Sequence, residues 1–414
     1  MHVDLVSLET ELRCWLDEVG YASWDPYDGL SCGAPWSIMR RSRLAARAWT
    51  QFIKSSPINV RPLFGIRPRV LSKSLSDLAS AALLRHRLEI DPQALSAAHQ
   101  FLERLRTEVR PGFSGACWAL ATPYVTRYID SGPNEPNLFW TLNAAVSFLE
   151  AYELEGRAAD LELARSSVDF IVRDLGFVDE GDNGVWFRYF TGHDAVVYNV
   201  AALTGALLER VARHTGERNL EALGGRALRF VLRHQNADGS WYYARGSQGR
   251  WVDGFHTGYV LEALLQSARV HDRDEVRRGL QRGVEFYLQN MFTPEHLPRY
   301  TADSLYPIEV QNCAQAIQTL AKLCWLDRAF LTRAEDVTQA VVDSLYRRVR
   351  SGERPAGYFL TSRGRWFRNA LPMVRWGEAP MLLALTYLLA ARHGLPPSWE
   401  QTPARSGDAR AGTS

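Results

Sequence analysis

The sequence lacks the signatures of a disulfide framework, a secretory signal and a membrane span. Its five cysteines are odd in number, scattered, and form no CxxC pair, which is typical of a reduced cytoplasmic chain. The N-terminus has an acid at Asp4 and no apolar core, so no signal peptide is predicted. No apolar run approaches the ~18 residues that an integral membrane segment needs. We therefore expect a cytoplasmic protein without a membrane-spanning helix.

Motifs of nucleotide and metal chemistry are missing too. The sequence contains no GxGxxG, GxxxxGK[ST], HExxH or GxSxG, which disfavours dinucleotide, P-loop, zincin and α/β-hydrolase chemistry. A scattered set such as Asp253, His256 and Cys313 has no diagnostic ligand spacing. We expect neither a cofactor nor a metal ion.

Charge of one sign is not in excess. Lys and Arg number 48 against 46 Asp and Glu, a net charge of +2, and the two signs read as interspersed. Such a balance does not produce the positive electrostatic potential that would attract nucleic acid or an anionic membrane. Small molecules or neutral surfaces are the predicted partners.

Aromatic residues, in contrast, are abundant. They make up 11% of the chain, with 13 Trp and 16 Tyr. This surplus indicates either a large core or a cleft that stacks sugars or apolar groups.

Helical periodicity dominates, and the segments come in pairs about 55 residues apart. Each pair has an amphipathic helix, a Gly/aromatic turn and then a more apolar helix. The amphipathic helices are predicted at Leu95–Val109, Asp160–Leu175, Asn219–Arg233, Asp274–Gln289 and Arg333–Val349. Their apolar partners are predicted at Leu138–Tyr152, Ala195–Ala212, Phe255–Ala268, Glu309–Cys324 and Glu378–Ala391. A sixth pair is formed by Trp36–Lys54 and Ser74–Arg87.

Six such pairs predict an all-α fold, an (α/α)6 toroid with an inner and an outer ring. An open solenoid is the alternative, and it would need exposed capping repeats. We expect one domain over residues 1–395. The remaining residues, 396–414, are rich in Pro, Arg, Gly and Ser, which predicts a disordered tail.

In this fold the inner helices run parallel, so their N-termini meet at one mouth of the ring. Polar clusters occur repeatedly at these positions, which makes them site candidates. The clusters are Asp25 and Asp28; His193, Asp194 and Tyr198; Trp251, Asp253, His256 and Tyr259; Tyr306 and Glu309; and Arg375, Trp376 and Glu378.

The catalytic candidates are His256, Tyr259, Asp253, Glu309 and Tyr306. For proton abstraction beside a carboxylate, His256 or Tyr259 would be the base and Glu309 or Tyr306 the acid. A purely structural alternative exists in which Asp253 is a helix N-cap with His256 in the first turn. Glu309 could likewise be a first-turn carboxylate favoured by the helix dipole.

The other candidates are predicted to bind substrate. Arg375 would hold a substrate carboxylate, and Trp251 and Trp376 would stack on sugar rings. Structural alternatives remain here as well, namely an Arg375–Glu378 ion pair, a turn at Asp25 and Asp28, and a helix cap at His193 and Asp194. The remaining candidate of this set is Tyr198.

The stretch Gln235-Asn-Ala-Asp-Gly239-Ser-Trp241 matches the QxxxGxW motif and resembles squalene cyclases and prenyltransferase-type toroids. The DxDD acid of class II cyclases is absent, as are recognisable prenyltransferase zinc ligands. Isoprenoid chemistry is therefore an alternative supported by one motif.

A longer resemblance rests on Trp251-Val-Asp-Gly-Phe-His-Thr-Gly-Tyr259, Tyr306-Pro-Ile-Glu309, Arg375-Trp-Gly-Glu378 and Asp25-Pro-Tyr-Asp-Gly-Leu30. These strings resemble a bacterial family of toroid proteins associated with surface-polysaccharide biosynthesis. That family is similar in architecture to glucuronyl 5-epimerase catalytic domains and to (α/α)6 glycoside hydrolases and lyases. The resemblance implies glycan-related work in the cytoplasm.

The predicted function is thus a carbohydrate-active enzyme acting on a bacterial glycan or glycolipid intermediate. It would epimerise or eliminate at an acidic sugar, or hydrolyse a glycosidic bond between two carboxylates. Polysaccharide-assembly proteins are candidate partners. A non-catalytic scaffold, which would show a large exposed apolar patch, and a polyprenyl-binding toroid, which would show a dry aromatic tunnel, are the alternatives.

Overall fold

The helices follow the predicted alternation. The structure, a computed structural model, describes residues 3–56, 58–126 and 130–400. Over these ranges it contains thirteen α-helices: α1 (Leu5–Glu18), α2 (Arg43–Ser55), α3 (Ser72–Arg87), α4 (Ala94–Thr107), α5 (Leu138–Glu155), α6 (Ala158–Asp169), α7 (Tyr198–Thr215), α8 (Arg218–Arg233), α9 (Gly254–Val270), α10 (Asp274–Asn290), α11 (Val310–Leu323), α12 (Ala329–Leu345) and α13 (Ala379–Arg392).

Six of these helices form a closed inner ring. Helices α3, α5, α7, α9, α11 and α13 each contact the next, and α13 contacts α3. Helices α1, α4, α6, α8, α10 and α12 form the outer ring, and each inner helix is enclosed; in α13, for example, every residue from Met381 to Ala391 is buried. Burial on all sides explains why inner helices such as α5 and α13 are apolar nearly all round. The prediction of an (α/α)6 toroid is confirmed, and the ring closes.

The first outer helix was predicted in the wrong place. Helix α1 takes this position and is linked to the inner helix α3 by a buried ion pair between Glu9 and Arg85. Helix α2, which overlaps the predicted segment Trp36–Lys54, lies outside the two rings of six helices. Its apolar face packs into a small core separate from that of the ring. The partners in this core include Leu30, Cys32, Val60 and Ile66.

Short strands lie in the connections between helices. They are β1 (Tyr124–Val125), β2 (Asp130–Ser131), β3 (Phe177–Asp179), β4 (Val185–Phe187), β5 (Ile308–Glu309), β6 (Tyr346–Ser351), β7 (Arg354–Phe359), β8 (Ser362–Arg363) and β9 (Arg368–Asn369). Strands β6 and β7 form an antiparallel hairpin, so the predicted helix 333–349 ends at Leu345. Strands β5, β8 and β9 form a small sheet in which Glu309 is opposite Ser362.

The far end of the ring is covered by residues that were predicted to be disordered. Ser398–Glu400 form a helical turn, and Trp399 is 4% exposed. The guanidinium of Arg210 donates to Ser398 Oγ at 3.0 Å, and that of Arg213 donates to the Trp399 carbonyl at 2.5 Å. Ordered packing therefore extends beyond the predicted boundary at residue 395, and the rest of the predicted tail, residues 401–414, lies outside the described residues.

Among the helices described, none is long and apolar enough to cross a bilayer.

Candidate functional site

A cavity of about 510 Å³ opens at the mouth where the inner helices begin. Its wall comes from the loops before, and the first turns of, α5, α7, α9, α11 and α13, together with α2. Eleven of the 25 lining residues are aromatic: Tyr27, Tyr124, Phe139, Trp140, Tyr189, Phe190, Tyr243, Trp251, Phe255, Tyr300 and Trp376. Five ionisable groups interrupt this aromatic wall: Lys54, Asp253, His256, Glu309 and Arg375.

Asp253 and His256 form a pair at the start of α9. Asp253 has an extended backbone and caps the helix, its Oδ1 accepting from the backbone nitrogen of His256 at 2.7 Å. The second oxygen, Oδ2, lies 2.7 Å from His256 Nδ1 and accepts from Trp251 Nε1 at 2.8 Å. Asp253 is thus the helix N-cap of the structural alternative, and its second oxygen also contacts the His256 ring.

Neighbouring charge and hydrogen bonds keep Asp253 ionised. Burial by itself would raise its pKa, but the His256 imidazole and the hydrogen bonds from His256 and Trp251 together lower the pKa below the ordinary value. The carboxylate that orients His256 is therefore charged at neutral pH.

Aromatic rings fix the His256 imidazole on two sides. The Tyr243 ring stacks on Trp251, with centroids 4.4 Å apart and planes 16° apart. The same Tyr243 ring lies 4.5 Å from the His256 ring, and Phe255 lies 4.9 Å from it. With Nδ1 held by Asp253, Nε2 is the nitrogen that remains for a substrate.

Glu309 is the second carboxyl group in the cavity wall. It lies immediately before α11, is 8% exposed, and accepts a hydrogen bond from Trp376 Nε1. Burial raises its pKa above the ordinary value, although Lys54 and the Trp376 hydrogen bond act in the opposite direction. Glu309 therefore retains a proton to a higher pH than an exposed glutamate, as a general acid must.

Arg375 is paired with Asp25 and not with Glu378. Its Nε donates to Asp25 Oδ2 in a buried ion pair, and its guanidinium lies 4.8 Å from the Trp376 ring and 5.8 Å from the Trp140 ring. Burial lowers the pKa of Arg375, but Asp25 more than offsets this and the net change is upward. Asp25 thus positions the guanidinium at the cavity wall.

Lys54 and Tyr27 are site residues that the sequence analysis did not single out. Lys54 Nζ lies 3.4 Å from the Tyr27 hydroxyl, 4.9 Å from the Tyr27 ring and 5.5 Å from the Trp376 ring. Burial, followed by Glu309, raises the pKa of Tyr27 to about 12. Within the described residues Lys54 forms no ion pair, so its charge is available to an anionic ligand. The only sequence signal was the Asp25-Pro-Tyr-Asp turn that contains Tyr27.

Three predicted binding residues are held away from the cavity by other partners. Asp28 accepts from Arg61 Nε at 2.8 Å, and burial raises its pKa to about 6. Glu378 is fully buried and accepts from the backbone nitrogen of Phe359 at 3.1 Å. Tyr198 packs against the ring of His234 at 5.2 Å.

The remaining predicted residues also lie outside the cavity. His193 and Asp194 are exposed, and Asp194 pairs with Arg188 at 2.8 Å. Tyr306 is 38% exposed and does not line the cavity. Tyr259 lines a second, deeper cavity of about 110 Å³ along the ring axis.

The QxxxGxW motif connects outer helices. Gln235 Nε2 donates to the carbonyls of Gly239 and Gly279, both at 2.9 Å, and Trp241 Nε1 donates to the Val231 carbonyl at 2.9 Å. These bonds join α8 to α10, so the motif stabilises the packing of the ring and does not line the mouth.

Over the described ranges, no group of three or more His, Cys, Asp and Glu side chains is arranged to hold a metal ion.

No protein-family model and no curated protein sequence matches this chain. Solved structures are similar in fold. A cellobiose 2-epimerase from Bacillus thermoamylovorans is 12% identical, over 78% of this chain and 88% of that chain, with a TM-score of 0.59. A GH76 α-mannanase from Bacteroides thetaiotaomicron is 12% identical, over 78% and 86%, with a TM-score of 0.56. An unsaturated glucuronyl hydrolase specific for heparin is 12% identical, over 81% and 91%, with a TM-score of 0.57. At this identity the likeness establishes the architecture, and the chain has the same (α/α) toroid fold as these proteins.

Proposed function

We propose that the protein is a carbohydrate-active enzyme that transfers a proton at a sugar carbon next to a carbonyl or carboxyl group, as an epimerase or a lyase. One observation is the main support: an imidazole oriented by a carboxylate, His256 with Asp253, shares an aromatic cavity with the buried acid Glu309. An oriented base and a buried acid are the two groups that such a reaction requires.

His256 is the proposed base. Asp253 accepts the Nδ1 proton, so the neutral ring has its lone pair at Nε2 and can remove a proton from carbon. The electron pair of the broken C–H bond moves toward the adjacent carbonyl or carboxyl oxygen, and negative charge develops there. Lys54 and Arg375 are the cations in the cavity wall that can stabilise this charge.

Glu309 is the proposed acid. Burial raises its pKa, so it retains a proton to a higher pH than an exposed glutamate and is suited to deliver one. In epimerisation this proton adds to the same carbon from the opposite face, and the abstracted proton stays on His256. In elimination it goes to the departing glycosidic oxygen as the C–O bond breaks and a C=C bond forms. Neither route needs a cofactor.

The aromatic wall supports a sugar as the substrate. Trp251 and Trp376 present ring faces of the kind that stack on the C–H face of a pyranose, and both side chains also bond to catalytic carboxyl groups. The structural neighbours described above, an epimerase and two glycan hydrolases, support the same substrate class. An isoprenoid would require a dry, apolar tunnel, and a wall with five acidic or basic side chains does not form one.

Direct hydrolysis is less well supported than proton transfer. A hydrolase needs two carboxyl groups that are available to the glycosidic bond and its water. Asp253 already accepts hydrogen bonds on both oxygens from His256 and Trp251. Glu309 accepts one on Oε1 from Trp376, so it is the less committed of the two carboxyl groups among the lining residues described.

The test is to incubate the protein in D₂O with uronic-acid and neutral oligosaccharides and to follow the products by NMR. We expect deuterium at a carbon next to a carbonyl or carboxyl group, or an unsaturated uronate, and we expect both to disappear in His256→Ala. New reducing ends without deuterium or unsaturation would instead identify a hydrolase and would contradict the proposal.

A further inference from the structure

The rim of the mouth carries exposed apolar side chains that the proposed chemistry does not use. On α2, Leu44, Ala48 and Phe52 are spaced i, i+4, i+8 and form an exposed stripe, with Leu44 77% and Phe52 50% exposed. The opposite side of the same helix is already buried in the small core. Helix α2 is therefore apolar on two sides, and one side stays largely exposed although the Phe52 ring contacts Phe64 at its edge.

The loop between β8 and β9 contributes a second exposed apolar group. Trp366 and Phe367 at its tip are 82% and 74% exposed, and Arg365 and Arg368 flank them. The base of this loop contacts α2, because Asn369 Nδ2 donates to the Lys54 carbonyl at 3.4 Å. Both apolar groups therefore border the same mouth.

The charge of this region is strongly one-sided. Between Asp28 and Asp77 the chain contains no Asp or Glu, but it contains nine Lys and Arg: Arg40, Arg41, Arg43, Arg47, Lys54, Arg61, Arg67, Arg69 and Lys73. The expectation of evenly interspersed charges is therefore wrong for this segment. Four of the nine are neutralised by carboxylates from outside the segment, Arg43 and Arg47 by Asp130, Arg61 by Asp28 and Lys73 by Asp77. Arg40, Arg41, Arg67 and Arg69 are exposed, and within the described residues no ion pair involves them.

We infer that these exposed side chains of residues 36–56, 58–69 and 365–368, here called the mouth face, dock onto the surface of an anionic lipid bilayer. Protruding Trp, Phe and Leu side chains among arginines are suited to the headgroup region, where the rings enter the acyl boundary and the guanidinium groups bind phosphates. A second copy of the chain is a poorer occupant, because a two-fold contact would place these arginines against one another.

Docking in this orientation would turn the catalytic cavity toward the membrane. Gln51 and Lys54 of α2 line the cavity, and β8 pairs with Glu309. A sugar attached to a membrane lipid would then be presented directly to the mouth. The inference goes beyond the proposed function and does not depend on it, because vesicle binding is measured without turnover.

The test is co-sedimentation of the full chain with phosphatidylcholine vesicles, with and without phosphatidylglycerol, at low and physiological salt. We expect binding only to the anionic vesicles, and weaker binding at higher salt. The double variant Arg365→Glu, Arg368→Glu should weaken binding by about tenfold or more, and Trp366→Ser with Phe367→Ser should do the same. Circular dichroism checks that each variant is folded.

Matched controls lie at the other end of the ring. Leu326, which follows the C-terminus of α11, is 46% exposed, and Arg278 is an exposed cation in α10. Leu326→Ser and Arg278→Glu should leave vesicle binding unchanged. The inference is overturned if no anionic vesicle is bound, if neutral vesicles bind equally, if the controls lose as much binding as the mouth variants, or if the mouth variants instead abolish self-association on size-exclusion chromatography.

Discussion

His256 Nδ1 lies 2.7 Å from Asp253 Oδ2, and the other oxygen of the same carboxylate caps the helix that contains His256. One side chain therefore begins α9 and orients the imidazole at its N-terminus. The consequence is that the position of the base relative to the cavity is set by the helix itself, and not by a flexible loop.

Asp253→Asn separates these two tasks. Asparagine also caps helices well, so α9 should still form, and the unfolding temperature should fall only by the effect of the lost Trp251 hydrogen bond. The amide cannot accept the Nδ1 proton as a carboxylate does, and the ring is then held in the wrong tautomer for a base. We expect kcat to fall by about a hundredfold or more, with the acid limb of the pH profile altered.

Asp4→Asn is the matched control, because Asp4 caps α1 far from the cavity. It should leave kcat unchanged. A variant Asp253→Asn that unfolds at a much lower temperature but keeps full activity per folded molecule would show that the aspartate is only a cap.

Lys54→Met tests the cation that α2 contributes to the site. Since Lys54 has no ion-pair partner among the described residues, its removal leaves no buried charge behind. We expect kcat/KM for an acidic sugar to fall about tenfold or more, because the substrate carboxylate loses a charge-assisted hydrogen bond and the charge that develops during proton abstraction loses one of its two cations. A neutral sugar, which has no carboxylate to bind, should lose less. Arg278→Met is the control, and an equal fall in kcat/KM for neutral and acidic sugars would contradict the assignment.

The repeat pattern predicted the ring well because helix pairs of this kind have strong, regular periodicity. Inner helices such as α5 and α13 are apolar nearly all round only because they are enclosed, and this property can be read from composition. The first pair was misplaced because α2 has an equally good apolar face, which packs into a local core. Periodicity reports that a face is buried, but not which element buries it.

The same distinction explains the site. Asp253, Glu309 and Arg375 were found because they precede inner helices, and such positions meet at one mouth. Asp28 and Glu378 occupy similar positions but are bound by Arg61 and by the Phe359 backbone, partners that no local pattern reveals. Lys54 was missed because it reaches the mouth from outside the repeat.

Glu378→Gln tests the buried carboxyl group beneath the site. Burial raises the pKa of Glu378 well above its ordinary value of 4.5, and only the Phe359 amide opposes this. Between the unfolded and folded pKa values the folded state binds more protons, so the free energy of unfolding falls as the pH rises. Glutamine does not titrate. The variant should therefore be more stable than the wild type at about pH 8 and close to it at about pH 4.5, as measured by urea denaturation.

Glu353, which is exposed in the turn between β6 and β7, supplies the control. Glu353→Gln should change stability little at either pH. A stability gain for Glu378→Gln that is the same at both pH values would mean that the carboxyl group is not the source of the pH dependence.

Gly239 and Gly246 allow the role of the QxxxGxW motif to be measured. Both have a positive φ, +92° and +93°, so alanine incurs a similar backbone strain of about 1 kcal/mol at each. They differ in surroundings. A Cβ on Gly239 would clash with the carbonyl oxygen of Arg282 in α10, whereas a Cβ on Gly246 meets nothing within 4 Å. Gly239→Ala should therefore lower the free energy of unfolding by about 2 kcal/mol more than Gly246→Ala in urea titrations.

Neither glycine lines the cavity, so activity per folded molecule should be unchanged in both variants. Equal losses of stability would mean that α10 can move away at little cost, and a selective loss of activity in Gly239→Ala would give the motif a catalytic role that its position among the outer helices does not predict.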